Sequence, residues 1–206
     1  MRTYLPAPKA LLPHSLTVDV NHWENPNISQ LELRRLLFRI QSQNHVHYLI
    51  FKFLVCTGFS IPELIAIKVK DFDPEKALVS VPERDRLKRR SISLATEFSR
   101  EIYRYCLDFP PDSYLFPGRE EGQRQGRSVQ KILQKASGLI RKEVNIPFLR
   151  DTIALHLFRK GFPIWEIQEF LGHRSPRSTR RRIYLQISPD EQRDPRLFKK
   201  NKNQAA

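Results

Sequence analysis

Residues 46–56, VHYLIFKFLVC, are apolar on almost every face of a helix and stop at Gly58. A helix without a polar face has to be covered on all sides. It is also too short to cross a bilayer. The chain must therefore wrap other helices around this one, and the sequence supplies them. Ser29 and Glu32 have capping-box spacing, with Ile28 and Leu33 placed as a hydrophobic staple. Leu33, Leu36, Leu37 and Ile40 then recur at i, i+3, i+4, i+7, which predicts an amphipathic helix ending near Ser42. Ser60 and Glu63 repeat the capping spacing ahead of Leu64, Ile65 and Ile67.

Further along, Asp71-Phe72-Asp73-Pro74 is a turn signal, and residues 77–81 and 91–94 read as two short strands. The charged stretch 83–90 between them makes the tip of a β-hairpin. Phe98, Ile102 and Tyr105 share one helix face, and residues 108–127 form a loop punctuated by Pro and Gly. Val129, Ile132, Leu133, Ala136 and Ile140 mark another helix. Residues 149–160 and 164–171 are helices closed by Gly161 and Gly172, and a basic helix covers 178–187. The expected fold is mainly α with a small β-hairpin (α+β). Residues 1–27, with four prolines, read as an extended arm, 28–188 as the folded domain, and 189–206 as a loose, polar basic tail.

Charge narrows the function. Thirty-six Lys and Arg against 22 Asp and Glu give +14 and a pI near 10.1, which favours a polyanionic partner. Two Arg-rich clusters carry much of the excess: Arg84, Arg86, Lys88, Arg89 and Arg90 at the hairpin, and Arg174, Arg177, Arg180, Arg181 and Arg182 near the end. A charge run is often only a solvated face, but arginine suits bidentate phosphate binding. A nucleic acid is therefore the expected partner, ahead of a membrane surface. Phosphate contacts say nothing about which bases are read. No apolar stretch is long enough to span a membrane, and the N-terminus lacks the apolar core of a secretion signal. Cys56 and Cys106 have neither metal-ligand nor redox spacing and read as core residues. No metal or small-molecule cofactor is expected, in a reducing, cytoplasmic setting.

Two segments are more specific. Residues 149–161, LRDTIALHLFRKG, lead into Ile167-Gln168-Glu169-Phe170-Leu171-Gly172-His173, and Tyr184 follows. Upstream stands Thr57-Gly58-Phe59-Ser60-Ile61-Pro62-Glu63-Leu64, and between them Tyr114-Leu115-Phe116-Pro117. In this order, with a basic hairpin between, the set resembles the catalytic domain of the tyrosine recombinase (phage integrase) family. The resemblance implies that Tyr184 attacks a DNA phosphodiester and forms a 3′-phosphotyrosyl link, without ATP or metal. It places Arg150 and His173 on the phosphate and offers Lys88 as a proton donor, with self-association on DNA as in related proteins.

The departures from the family pattern matter equally. Ser60 stands where the first arginine is expected and Pro147 where the histidine of H-x-L-R is expected. Asp151 replaces the histidine that usually follows, and the interval from His173 to Tyr184 is slightly long. An arginine on a transferring phosphoryl group contributes roughly 10³–10⁵ in rate. Losing that arginine and a histidine is expected to cripple cleavage unless neighbouring groups substitute. Bland roles stand beside the chemical ones: Ser60 as a plain N-cap with Glu63 closing the box, Arg150 as a first-turn surface residue, His173 as a helix-end histidine, and Tyr184 as a packing residue. The sequence leaves open a cutting recombinase, a silent DNA-binding scaffold, and an RNA-binding or assembly protein.

Overall fold

A computed structural model describes residues 16–81 and 90–198. Eight α-helices surround one core in these residues: α1 (Gln30–Gln43), α2 (His45–Thr57), α3 (Ile61–Ala66), α4 (Thr96–Cys106), α5 (Gly126–Ile140), α6 (Ile146–Arg159), α7 (Ile164–Leu171) and α8 (Pro176–Tyr184). A three-stranded antiparallel sheet, β1 (Phe72–Asp73), β2 (Leu78–Val81) and β3 (Arg90–Ser93), lies in the order β1-β2-β3. The mainly helical class with a small hairpin holds, and the Asp71–Pro74 turn signal contributes an additional two-residue strand.

The all-apolar segment is α2, with Leu49, Ile50, Phe51, Phe53, Leu54 and Val55 buried. Phe53 lies at its centre, edge-on to Phe59, Phe98 and Phe116 at ring distances of 5.3, 6.4 and 5.2 Å. The capping box before α1 forms in both directions: the Ser29 N–H donates to Glu32 and the Glu32 N–H donates to the Ser29 hydroxyl. Gly58 closes α2 in the left-handed conformation (φ 63°).

α6 begins three residues earlier than its apolar pattern indicates. Asn145 accepts from the Phe148 N–H at 2.8 Å, and Pro147 occupies the first turn, where its missing N–H is harmless. That is the structural role of the proline at the expected histidine position. The last helix, expected over 178–187, starts earlier, at Pro176, and ends earlier, at Tyr184.

The described parts of the two terminal segments, from residue 16 and up to residue 198, depart from their compositional reading. Leu16, Val18, Val20 and Trp23 are buried in the same core as α1, although the segment before Gln30 is largely extended. Trp23 stacks on His156 at 4.6 Å and donates to the Ile28 carbonyl. The polar end is not loose as far as Phe198. Leu197 is fully buried, its carbonyl accepts from Arg180 Nε (2.7 Å), and Arg196 donates to the Phe158 carbonyl. One leucine among charged residues gives no periodic signal, yet its burial is enough to anchor the segment.

Candidate active site

α2 and α7 both end in a left-handed glycine, Gly58 and Gly172 (φ 64°), and their ends touch. A Cβ on Gly58 would lie 2.6 Å from Leu171 Cδ2, so only glycine permits this approach. The two final turns therefore direct their free carbonyls to one place, where Arg150 is found. Its guanidinium donates to the Gly58 carbonyl and, at 2.7 Å, to the Leu171 carbonyl. Each is the negative end of a helix, which suits a cation. Burial pulls the Arg150 pKa down to about 10, with Glu63 opposing and Arg90 and Arg182 adding to the effect, so the group stays charged at neutral pH.

The turn after α7 fixes the next residue. The His173 N–H bonds back to the Gln168 carbonyl and the Gly172 N–H to that of Glu169, a Schellman closure. The Gln168 side chain holds the His173 carbonyl at 3.0 Å. That gives the glutamine, glycine and histidine of the motif one mechanical purpose. The His173 ring meets the Thr179 hydroxyl through Nδ1 at 2.8 Å, and its Nε2 is buried with no hydrogen-bond partner among the described residues. Burial, with the charges of Arg150, Arg182 and Arg90, depresses its pKa to about 3. The imidazole is therefore neutral at physiological pH. Its ring-proton shifts in NMR spectra are expected to stay at the neutral-form value from about pH 8 to about pH 5, where a free histidine would titrate near 6.5. The unfolded chain takes up that proton first, so the contribution to stability is complete above the unfolded pKa and is lost as pH falls towards 3.

Arg90, expected at the hairpin tip on the DNA, is instead 6% exposed and faces inward from the start of β3. Its Nη1 pairs with Glu63 Oε1 at 2.5 Å and its Nε donates to the Phe170 carbonyl at 3.1 Å. The guanidinium fills the space over Gly172, where a Cβ would lie 2.5 Å from Nη1. Glu63 also accepts, through Oε2, from the Ser60 N–H and the Ser60 hydroxyl, both at 2.8 Å. Ser60 thus serves the start of α3, and Glu63 serves two elements.

Asp151 pairs with Arg182, tying α6 to α8. Arg180 is also engaged, bonding Leu197 and lying over the Phe198 ring. Arg174, Arg177 and Arg181 are exposed and have no ion-pair partner among the described residues. Arg177 and Arg181 share a helical face with Tyr184 at i, i+4, i+7. Tyr184 itself is 41% exposed, and no described residue holds its hydroxyl by a hydrogen bond. The structure thus gathers Arg150, His173, Arg90 and Arg182 into one charge cluster, with Tyr184 at the far end of α8. Arg84, Arg86, Lys88 and Arg89 lie outside the described residues. Sequence reasoning missed Thr179, the partner of His173, and the Asp151–Arg182 pair. Cys56 and Cys106 are buried thiols, and burial pushes Cys56 up to about 12. No described helix is long and apolar enough to cross a membrane.

Residues 26–191 match the model of the phage integrase family. The probable integrase/recombinase YoeC of Bacillus subtilis is 27% identical over 176 residues, 84% of this chain and 94% of that protein. Among solved structures, a XerA recombinase superposes with a TM-score of 0.68 at 27% identity, over 79% of this chain and 61% of the other. The catalytic domain of bacteriophage HP1 integrase shares the fold at 20% identity, with a TM-score of 0.56 over 84% of this chain and 96% of that domain.

Proposed function

The chain belongs to the phage integrase family, and we propose that it binds duplex DNA and breaks and rejoins it through Tyr184. The oxygen of the Tyr184 hydroxyl attacks the phosphorus and loses its proton. The bond from phosphorus to the 5′ oxygen breaks, and that oxygen takes up a proton. The phosphotyrosyl link keeps the energy needed for rejoining, so the reverse attack by a 5′-hydroxyl reseals the strand. Arg150 stabilises the charge on the phosphoryl oxygens. His173, neutral and with Nε2 unpaired, is a hydrogen-bonding partner for the same group. Lys88 is the candidate proton donor to the leaving oxygen. Arg174, Arg177 and Arg181 grip the flanking backbone, and the net charge of +14 supports that contact.

The observation that carries this reading is the clamp on Arg150. Two helix ends hold a cation beside an unpartnered histidine nitrogen, an arrangement that suits an oxyanion and that a surface arginine has no need of. The test uses a pool of nicked duplexes of random sequence around the nick, incubated with the protein and run on a denaturing gel. A covalent adduct is expected, with none from Tyr184→Phe. Duplex binding by that variant is expected to persist and to weaken steeply with added salt. Absence of an adduct across the pool would overturn strand cleavage. Ser60 and Pro147 favour a second reading, a silent DNA-binding scaffold, and binding without an adduct is its signature.

A further inference from the structure

We infer that Arg90 is a second phosphate-binding guanidinium, approaching from β3 to supply the positive charge that Ser60 does not. The inference rests on the function proposed above and adds a residue that the family pattern leaves empty in this chain. The geometry starts at Glu63. One of its oxygens accepts from Ser60 and the other from Arg90, so the guanidinium stands one carboxylate away from the serine. It is anchored on the same helix end as Arg150. Arg90 donates to the Phe170 carbonyl and Arg150 to that of Leu171, successive residues of α7. His173 follows two residues later, so all three groups are indexed to one turn.

A purely structural role leaves two facts without an explanation. Arg90 is more than nine-tenths buried, yet its Nη2 has no hydrogen-bond partner among the described residues. Buried donors are nearly always satisfied, and a charged one left unpaired is costly. His173 Nε2, in the same cluster, is likewise unpaired. A phosphate oxygen would satisfy both. The charges agree: Arg90, Arg150 and Arg182 face Glu63 and Asp151, which leaves one positive charge over. Nη2 is itself covered, so contact with a phosphate requires the side chain or its cover to shift as DNA docks. Gly172, whose lack of a Cβ gives Arg90 its place, is equally the glycine that turns the chain into His173.

Two measurements test this. In the first, wild-type protein is titrated with inorganic phosphate while the arginine Nε–H signals are followed by NMR. The Arg90 and Arg150 signals are expected to shift together with one midpoint; a response from Arg150 alone, or from neither, overturns the inference. In the second, Arg90→Met is combined with Glu63→Gln, so that neither charge is orphaned and the glutamine can still accept from Ser60. Adduct formation on the nicked pool is expected to fall by about 100-fold or more, well beyond any loss of duplex binding. Adding Ser60→Arg to that pair is expected to restore most of the lost activity. Wild-type rates in the double variant, or no rescue by Ser60→Arg, overturn the inference. If wild-type protein forms no adduct at all, the function proposed above fails, and the phosphate titration alone decides on Arg90.

Discussion

Glu63→Ala is expected to lower the unfolding free energy by about 3–5 kcal/mol, the usual cost of stranding a buried charge. Arg90 has one carboxylate partner, and its side chain and that of Glu63 are 6% and 3% exposed. Removing Glu63 also strips the N-cap of α3 of both Ser60 bonds. Burial raises the Glu63 pKa, but the bond and charge of Arg90 and the two Ser60 bonds outweigh it and hold the carboxyl below its ordinary value. A group of that kind stabilises the fold above its unfolded pKa, about 4.3, and the contribution fades as pH falls through the lower folded value. Urea unfolding at neutral pH and near pH 3 is the measurement. Glu63→Ala should be far less stable than wild type at neutral pH, and the gap should narrow in acid. A gap that stays constant would contradict the ion-pair account.

Arg150→Met is expected to reduce adduct formation by roughly 10³–10⁵, and it should also destabilise the domain. The variant keeps the length of the stem and removes the fork that spans Gly58 and Leu171. A charge-assisted bond contributes about 1.5–3 kcal/mol, so a loss of at least that size is expected in chemical denaturation. Arg150→Lys separates the two roles: a single ammonium cannot reproduce the fork. That variant should recover part of the stability and little of the cleavage. Equal recovery of both would show that charge, not geometry, is what Arg150 contributes.

Much of the framework was legible because local signals agreed with tertiary burial. Ser29 with Glu32, Ser60 with Glu63, and the glycines at 58 and 172 each marked a helix end that the structure uses. Arg150 and His173 were legible through their resemblance, and the structure shows why the motif has its form: Gln168 and Gly172 shape the turn that carries the histidine. Arg90 closes a run of charges, which points to the hairpin tip, whereas its place in a strand is governed by alternation. Arg90 lies two residues before Ile92, and both are buried on one face of β3, so the period-two pattern already placed it inside. Asp151, which stands in place of the usual histidine, is paired with Arg182, 31 residues away. No local pattern reports a pair at that separation. The arm and the tail were hidden by the same dilution, a few apolar anchors in polar or proline-rich sequence.

The return of the chain after α8 changes how that helix opens. A helix near the end of a folded domain ordinarily frays first, since nothing beyond it resists. Here Ile183 is buried before Tyr184 and Leu197 after it, with Arg180 and Arg196 fastening the returning segment to its own domain. Opening α8 means extracting a core leucine as well, so its amides are expected to exchange with the slow, global opening of the domain. The tyrosine sits on a span pinned at both ends.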